Sequence, residues 1–338
     1  MKVIKKAKLE AAFNKLSESA DVFVPMQKSR QSGYYNWLGY DKDQDEIMLD
    51  VLNVYQPPKN VVFPQSSKMY GIKTNGVEIS LDSAAETDRS SLIFGARACD
   101  VKGILAMDEV FLTRGYEDSF YKARRTGNTI VAHSCYSPGP NCFCNAMEVN
   151  PTDPIGADVI IRDAGDEYVW EAKSEKGEAV TAQIADWLEE KEVRAPESKS
   201  FDQHVDYHGV AEKLTKMFEH PLWDKISEPC SACGMCTYLC PSCYCFDIQV
   251  KMRGDEGYRF RAWDSCMYEE YSREAGGGNP RGLVKERFRN RFLHKLQFFT
   301  ERYGTPLCTG CGRCMIVCPN GINIVKIIDA VKEAEIVE

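Results

Sequence analysis

The sequence predicts an α+β protein of two domains. Residues 1–200 read as an α/β domain with a partly parallel sheet, and residues 201–338 as a mostly helical domain. Three observations carry this. Short apolar runs alternate with helix-spaced stretches in the first part, which is the pattern of strands joined by helical crossovers. Strand signals thin out after residue 201, where helix-like stretches take over. Eleven of the fifteen cysteines also fall in that second part, mostly in two dense runs that follow helix-like sequence.

In the first domain, "SSLIFGARACD" (Ser90 to Asp100) is a short buried strand ending in a turn, and "VKGILAMDEVFLT" after it has helical apolar spacing. "NTIVAHSC" is a second strand, whose end delivers Cys135. A strand, a helix and a strand in that order predict a parallel pair with a crossover. "GADVIIRDAGDEYVWEAKSEKGEAV" reads as a hairpin and "AVTAQIADWLEEKEV" as an amphipathic surface helix. The polar "RAPESKSFDQHVDYHG" reads as the linker. Beyond it, "VAEKLTKMFEHPLWDKI" is helical, and "PRGLVKERFRNRFLHKLQFFTERYG" is a long helix closed by Gly304.

Composition narrows the function. A hydrophobic fraction of 43% is that of an ordinary folded chain, and a net charge of −8 argues against a general nucleic-acid binder. No stretch approaches the roughly 20 apolar residues of a membrane span, and the basic, amphipathic start lacks the apolar run of a secretory signal. The expectation is a soluble, cytoplasmic protein without membrane insertion. Reducing cytosol rules out fifteen cysteines as a disulfide framework, and an odd count leaves one unpaired. Ligation is the natural use of so many thiols.

The two runs say of what. Cys230, Cys233 and Cys236 are spaced C-x2-C-x2-C and followed by Cys240 and Pro241; Cys308, Cys311 and Cys314 repeat the spacing and are followed by Cys318 and Pro319. This is the C-x2-C-x2-C-x3-C-P run of two-cluster ferredoxins, in which the fourth cysteine serves the other cluster. Three thiolates on one turn wrap three irons of a cube, and the fourth iron points away from that turn. The spacing therefore assigns one [4Fe–4S] cluster to Cys230, Cys233, Cys236 and Cys318, and a second to Cys308, Cys311, Cys314 and Cys240. Zinc is the competing reading, but a structural zinc needs only two C-x2-C pairs and no third cysteine at the next step. The separation of about 80 residues between the runs suits a helical dicluster ferredoxin domain with an insertion.

Seven cysteines lie outside the repeat. Cys99 sits where a strand gives way to a helix, Cys135 ends the neighbouring strand, and Cys142 and Cys144 lie in the Pro/Gly-rich loop "PGPNCFCN". Converging at one sheet edge, these four are candidate ligands of a third cluster; buried inert thiols are the alternative. Cys243, Cys245 and Cys266 are either additional iron ligands with a missing fourth partner or the lining of a cluster pocket. The basic "KERFRNRFLHK" reads by default as a solvated helix face, with a charge-offsetting role near clusters as the alternative. "GARACD" has one glycine, too few for a dinucleotide fingerprint, so no flavin or nicotinamide is expected on this chain.

Taken together, "FGARACD", "NCFCNAM", "HPLWD", "CSACGMCTYLCPSCYCFD", "WDSCM", "NPR" and "CTGCGRCMIVCP" occur in that order between Phe94 and Pro319, about two-thirds of the chain. This set resembles the A-type subunits of anaerobic sulfite reductases and their relatives, the iron–sulfur β subunits of soluble sulfur-reducing hydrogenases. The resemblance implies an electron-transfer subunit with no catalytic residues of its own. Its partners would be a flavin- and NADH-binding subunit, which supplies electrons, and a sirohaem iron–sulfur subunit, which reduces sulfite to sulfide. In the hydrogenase relatives the terminal enzyme differs. The family pattern has a histidine just before the "NPR" stretch where this chain has Gly278, so no role is carried over there.

Overall fold

The computed structural model describes residues 1–83, 89–194 and 196–336. It divides into two compact units: Met1–Val62, Thr87–His204 and Thr309–Gly312 form the first, and Phe63–Glu86, Val205–Cys308 and Arg313–Glu338 the second. The strands are, in chain order, β1 (Lys2–Lys5), β2 (Asp21–Lys28), β3 (Gln31–Asn36), β4 (Asp45–Ile47), β5 (Ser66–Asn75), β6 (Glu78–Ser83) and β7 (Ser91–Ala96). They continue with β8 (Asn128–His133), β9 (Val159–Asp163), β10 (Glu167–Ala172), β11 (Leu188–Glu190), β12 (Phe246–Arg253) and β13 (Glu256–Trp263).

In the first unit a nine-stranded sheet runs in the order β11-β1-β10-β9-β8-β7-β2-β3, with β4 also on β2. Its centre is parallel: β2 on β7, β7 on β8, and β8 on β9. Leu92, Ile93 and Phe94 of β7 and Ile130, Val131 and Ala132 of β8 are all buried, as continuous apolar runs in a parallel sheet should be. The crossover helix is Ala98–Leu112, which buries Val101, Ile104 and Met107. The hairpin expected in the residues after Gly156 is β9–β10, turning at Gly165. The surface helix expected after it is shorter and earlier, Glu175–Gln183, because the Ser174 hydroxyl caps the Gly177 N–H and the helix ends at Ile184. After it, Ala185–Trp187 form a 3-10 turn, and Leu188–Glu190 pair as edge strand β11 on β1, where Lys5 and Glu189 form an ion pair of 2.9 Å.

In the second unit the long helix expected before Gly304 forms, the stretch expected helical from Val210 divides into two short helices, Val210–Leu214 and Leu222–Ser227, and there is one sheet the sequence did not announce. Val284–Leu293 continues through a π-helical turn, His294–Phe298, into Phe299–Tyr303, and Gly304 ends it in the left-handed conformation. Phe288, Phe292, Leu296 and Phe299 follow one another along its buried face. Ile324–Glu333 is capped by the Asn323 side chain. The added sheet is antiparallel, β12-β13-β5-β6. Its β12–β13 hairpin alternates Phe246, Ile248, Val250 and Met252 with polar residues before the Gly254 turn, a period-2 pattern. Between β11 and the helix Val210–Leu214 the described residues form neither helix nor strand; Ala195 within this stretch lies outside the described residues.

The edge of the parallel sheet that carries chemistry begins at a bulge in β7. Gly95 sits at φ +82, the register to β8 shifts between Phe94 and Ala96, and the Tyr34 hydroxyl donates to the Gly95 carbonyl at 3.0 Å. A Cβ at Gly95 would stand 2.7 Å from Leu49 Cδ2. Gly95→Ala is therefore expected to destabilise the protein by about 2–4 kcal/mol. A lowered urea midpoint reports this, and an unchanged one contradicts it.

Candidate iron–sulfur sites

Consider first the run that starts at Cys230. Ala232 at φ +54 and Gly234 at φ +76 curl the chain into a tight loop before the short helix Met235–Tyr238. Gly234 is required there, since a Cβ would lie 2.8 Å from the Tyr268 hydroxyl. The loop presents Cys230, Cys233 and Cys236 to one cavity, and Cys318 lines the same cavity. These are the four residues that the spacing assigns to one cluster. Met267, Phe288 and Phe292 supply apolar wall, and Arg291 and Cys314, which the spacing assigns to the other cluster, also line it. Backbone amides already point at sulfur: Ala232 N–H donates to Cys230 Sγ at 3.4 Å and Ile322 N–H to Cys318 Sγ at 3.3 Å. Burial pushes the Cys230 thiol up, partly opposed by the Ala232 N–H.

Arg291 tests whether an anionic cluster fits this cavity. It is buried, and its Nε has no hydrogen-bond partner in the protein. Burial works against its charge, yet Cys236, Cys314, Cys243 and Cys266 around it more than restore it. An unsatisfied guanidinium N–H on a cysteine-lined wall fits an acceptor-rich sulfur cluster. The thiols stand around the cavity wall rather than meeting at a point. Among the described residues no three His, Cys, Asp or Glu side chains are placed to hold a single metal ion.

Of the second set, Cys240, Cys308 and Cys314 belong to the second unit and Cys311 to the first. Cys240 Sγ accepts from Lys295 Nζ at 3.1 Å and lies 3.3 Å from Ser242 Oγ. Ser242 in turn donates to the Leu307 carbonyl at 2.6 Å, tying the end of the first run to the start of the second. Lys295 is 3% exposed, and Cys240, Cys243 and Cys308 hold it charged against its burial.

The other cysteines fall into two groups. In the second unit Cys266 hydrogen-bonds Cys245, with Cys243 close by, and its thiol is pushed up by that bond and by burial. Tyr271 also hydrogen-bonds Cys245. The three residues left over by the repeat are thus neighbours. In the first unit Cys135, Cys142 and Cys311 surround Cys144, whose thiol burial and these neighbours push up to about 12. The thiol of Cys99, near the start of the crossover helix, donates to Asn53 Oδ1 at 3.9 Å. Gly310 and Gly312 make the approach of Cys311 feasible. Both have positive φ, a Cβ on Gly310 would stand 2.4 Å from Cys144 Cα, and Phe143 N–H donates to the Gly310 carbonyl at 2.9 Å.

The basic stretch from Lys285 to Lys295 reads by default as a solvated face, which the structure corrects; the alternative, cations that offset charge near the cysteines, is the reading its burial leaves. Arg287, Arg289, Arg291 and Lys295 are all buried. Arg287 spends its donors on the carbonyls of Met267, Arg281 and Gly282, and Arg289 pairs with Glu219 and lies 3.9 Å over the Phe218 ring. The signal was the interleaving of Phe288 and Phe292 with these cations; the helix's more accessible polar positions are Lys285, Glu286 and Asn290.

Residues 229–322 match the family described as a 4Fe-4S dicluster domain. That match and the cysteine-lined cavity define the class: an iron–sulfur electron-transfer subunit. Over 334 residues the chain is 31% identical to the beta subunit of sulfhydrogenase 2 from Pyrococcus furiosus, covering 95% of each. It belongs to the family of sulfhydrogenase β subunits. No solved structure matches the chain. Among the described residues no helix is long and apolar enough to cross a membrane.

Cys318→Ser and Cys233→Ser are each expected to remove about four irons per chain, one cluster's worth. Iron and labile-sulfide assays on protein purified without oxygen check this. Full iron retention in both variants would contradict the cavity's assignment.

Proposed function

We propose that the chain is the electron-carrying β subunit of a soluble sulfur-reducing hydrogenase complex. The observation that supports this over its rival is the end-to-end likeness to a sulfhydrogenase β subunit, 95% of both chains. The sulfite reductase reading, with a flavin- and NADH-binding partner and a sirohaem partner, rests on the order of the sequence motifs, which the two families share.

On this reading Cys230, Cys233, Cys236 and Cys318 hold one [4Fe–4S] cluster. Cys308, Cys311, Cys314 and Cys240 hold the second; this set is proposed from its spacing. Cys135, Cys142 and Cys144, with Cys99 as the sequence suggests, are proposed for a third. When bound, the clusters supply one-electron transfer. The chain's own part is to bury them, to aim backbone N–H groups and cations at their sulfurs, and so to fix their potentials. Catalysis belongs to partner subunits.

The test is to purify the complex without oxygen through a tag on this chain and ask what comes with it. Nickel in a co-purifying subunit, together with hydrogen-dependent reduction of polysulfide, is expected. Sirohaem absorbance with sulfite reduction would contradict the hydrogenase reading and restore its rival.

A further inference from the structure

Arg291 and Lys295 are four residues apart on one helix, so they stand on one face of it, a turn from each other. Both are buried, at 4% and 3% exposure. Burying two cations is costly unless each meets compensating negative charge. Lys295 Nζ reaches Cys240 Sγ at 3.1 Å and Ser242 Oγ at 3.2 Å, and Arg291 lines the cavity of Cys230, Cys233, Cys236 and Cys318. Lys295 also lies in the π-helical turn, a distortion that recurs at functional sites.

We propose that this pair sets the reduction potentials of the two ferredoxin-type clusters. Lys295 acts on the one ligated by Cys240, and Arg291 on the one held in the Cys230 cavity. The inference rests on the iron–sulfur reading above. Reduction adds one electron to an already anionic group, with no bond made or broken. A buried cation stabilises the reduced form more than the oxidised form, so each raises the potential of its neighbour. Salt screens such buried charges little. A hydrogen bond from Lys295 to a ligand sulfur acts in the same direction. Both are positioning residues, since they act through the ligands.

A purely structural role is the alternative, because Lys295 and Ser242 also tie two chain segments together through the Leu307 carbonyl. Potentials separate the two. In EPR-monitored redox titrations of the full chain, Lys295→Met should shift the reduced-to-oxidised ratio of one cluster at least tenfold toward oxidised, a fall of about 59 mV or more. Lys295→Arg should stay at the wild-type value, and Arg291→Met should lower the cluster of the Cys230 cavity more than the one ligated by Cys240. Wild-type protein labelled with 15N-lysine should also show nitrogen hyperfine coupling to a reduced cluster in pulsed EPR, a readout independent of any variant's folding. An unshifted potential in an iron-replete Lys295→Met chain overturns the proposal. So does an equal shift in Lys295→Arg, or an absent lysine coupling in the wild type. Wild-type protein without iron or labile sulfide would take down the cluster reading first, and is recognised before any variant is made.

Discussion

Negative charge on sulfur has to be offset wherever it is buried, and this constraint organises the second unit. A thiolate moved out of water without a partner shifts its pKa and neutralises, which would leave it unable to ligate iron. Backbone N–H groups of Ala232 and Ile322 donate to Cys230 Sγ and Cys318 Sγ, and at Cys230 this opposes only part of the cost of burial. Cys240 meets it with the ammonium of Lys295, itself buried and held charged by sulfur. The requirement is mutual: Arg291 and Lys295 are tolerable inside the protein because the cysteines are there.

Local backbone geometry serves the same end. A C-x2-C-x2-C loop points three thiols inward only if the chain turns sharply between them. Ala232, Gly234, Gly310 and Gly312 all adopt positive φ inside the two runs. Three of the four are glycine, the residue that takes this conformation without steric cost. The long helix ending at Gly304 supplies apolar wall from Phe288 and Phe292 and both cations from the same turns. The parallel sheet of the first unit does corresponding work for Cys135, two residues past the end of β8.

Much of this was legible beforehand, for reasons that can be named. Ligand spacing is a local constraint written in residue number, so two ligand sets can be proposed without a structure, and the first set, Cys230, Cys233, Cys236 and Cys318, lines one cavity together with Cys314 of the second. The β7–helix–β8 crossover could also be read, because parallel strands buried on both faces show as unbroken apolar runs. The β12–β13 hairpin had a period-2 signal, but Ile248, Val250 and Met252 are exposed, so their alternation marks no core. The burial of Arg291 and Lys295 was hidden for a different reason. What makes a buried cation tolerable is sulfur brought from Cys240, Cys236 and Cys314, far away in sequence. The neighbourhood of Cys311 and Cys144 likewise depends on a long-range approach that two glycines permit but do not announce.

The central claim is that these cysteines hold iron–sulfur clusters. The most direct measurement is iron and acid-labile sulfide per chain on protein purified without oxygen, with EPR of the dithionite-reduced sample. The two ferredoxin-type sets alone predict about eight of each with an interacting two-cluster signal, and a third cluster in the first unit raises both to about twelve. Zinc without labile sulfide would contradict the account.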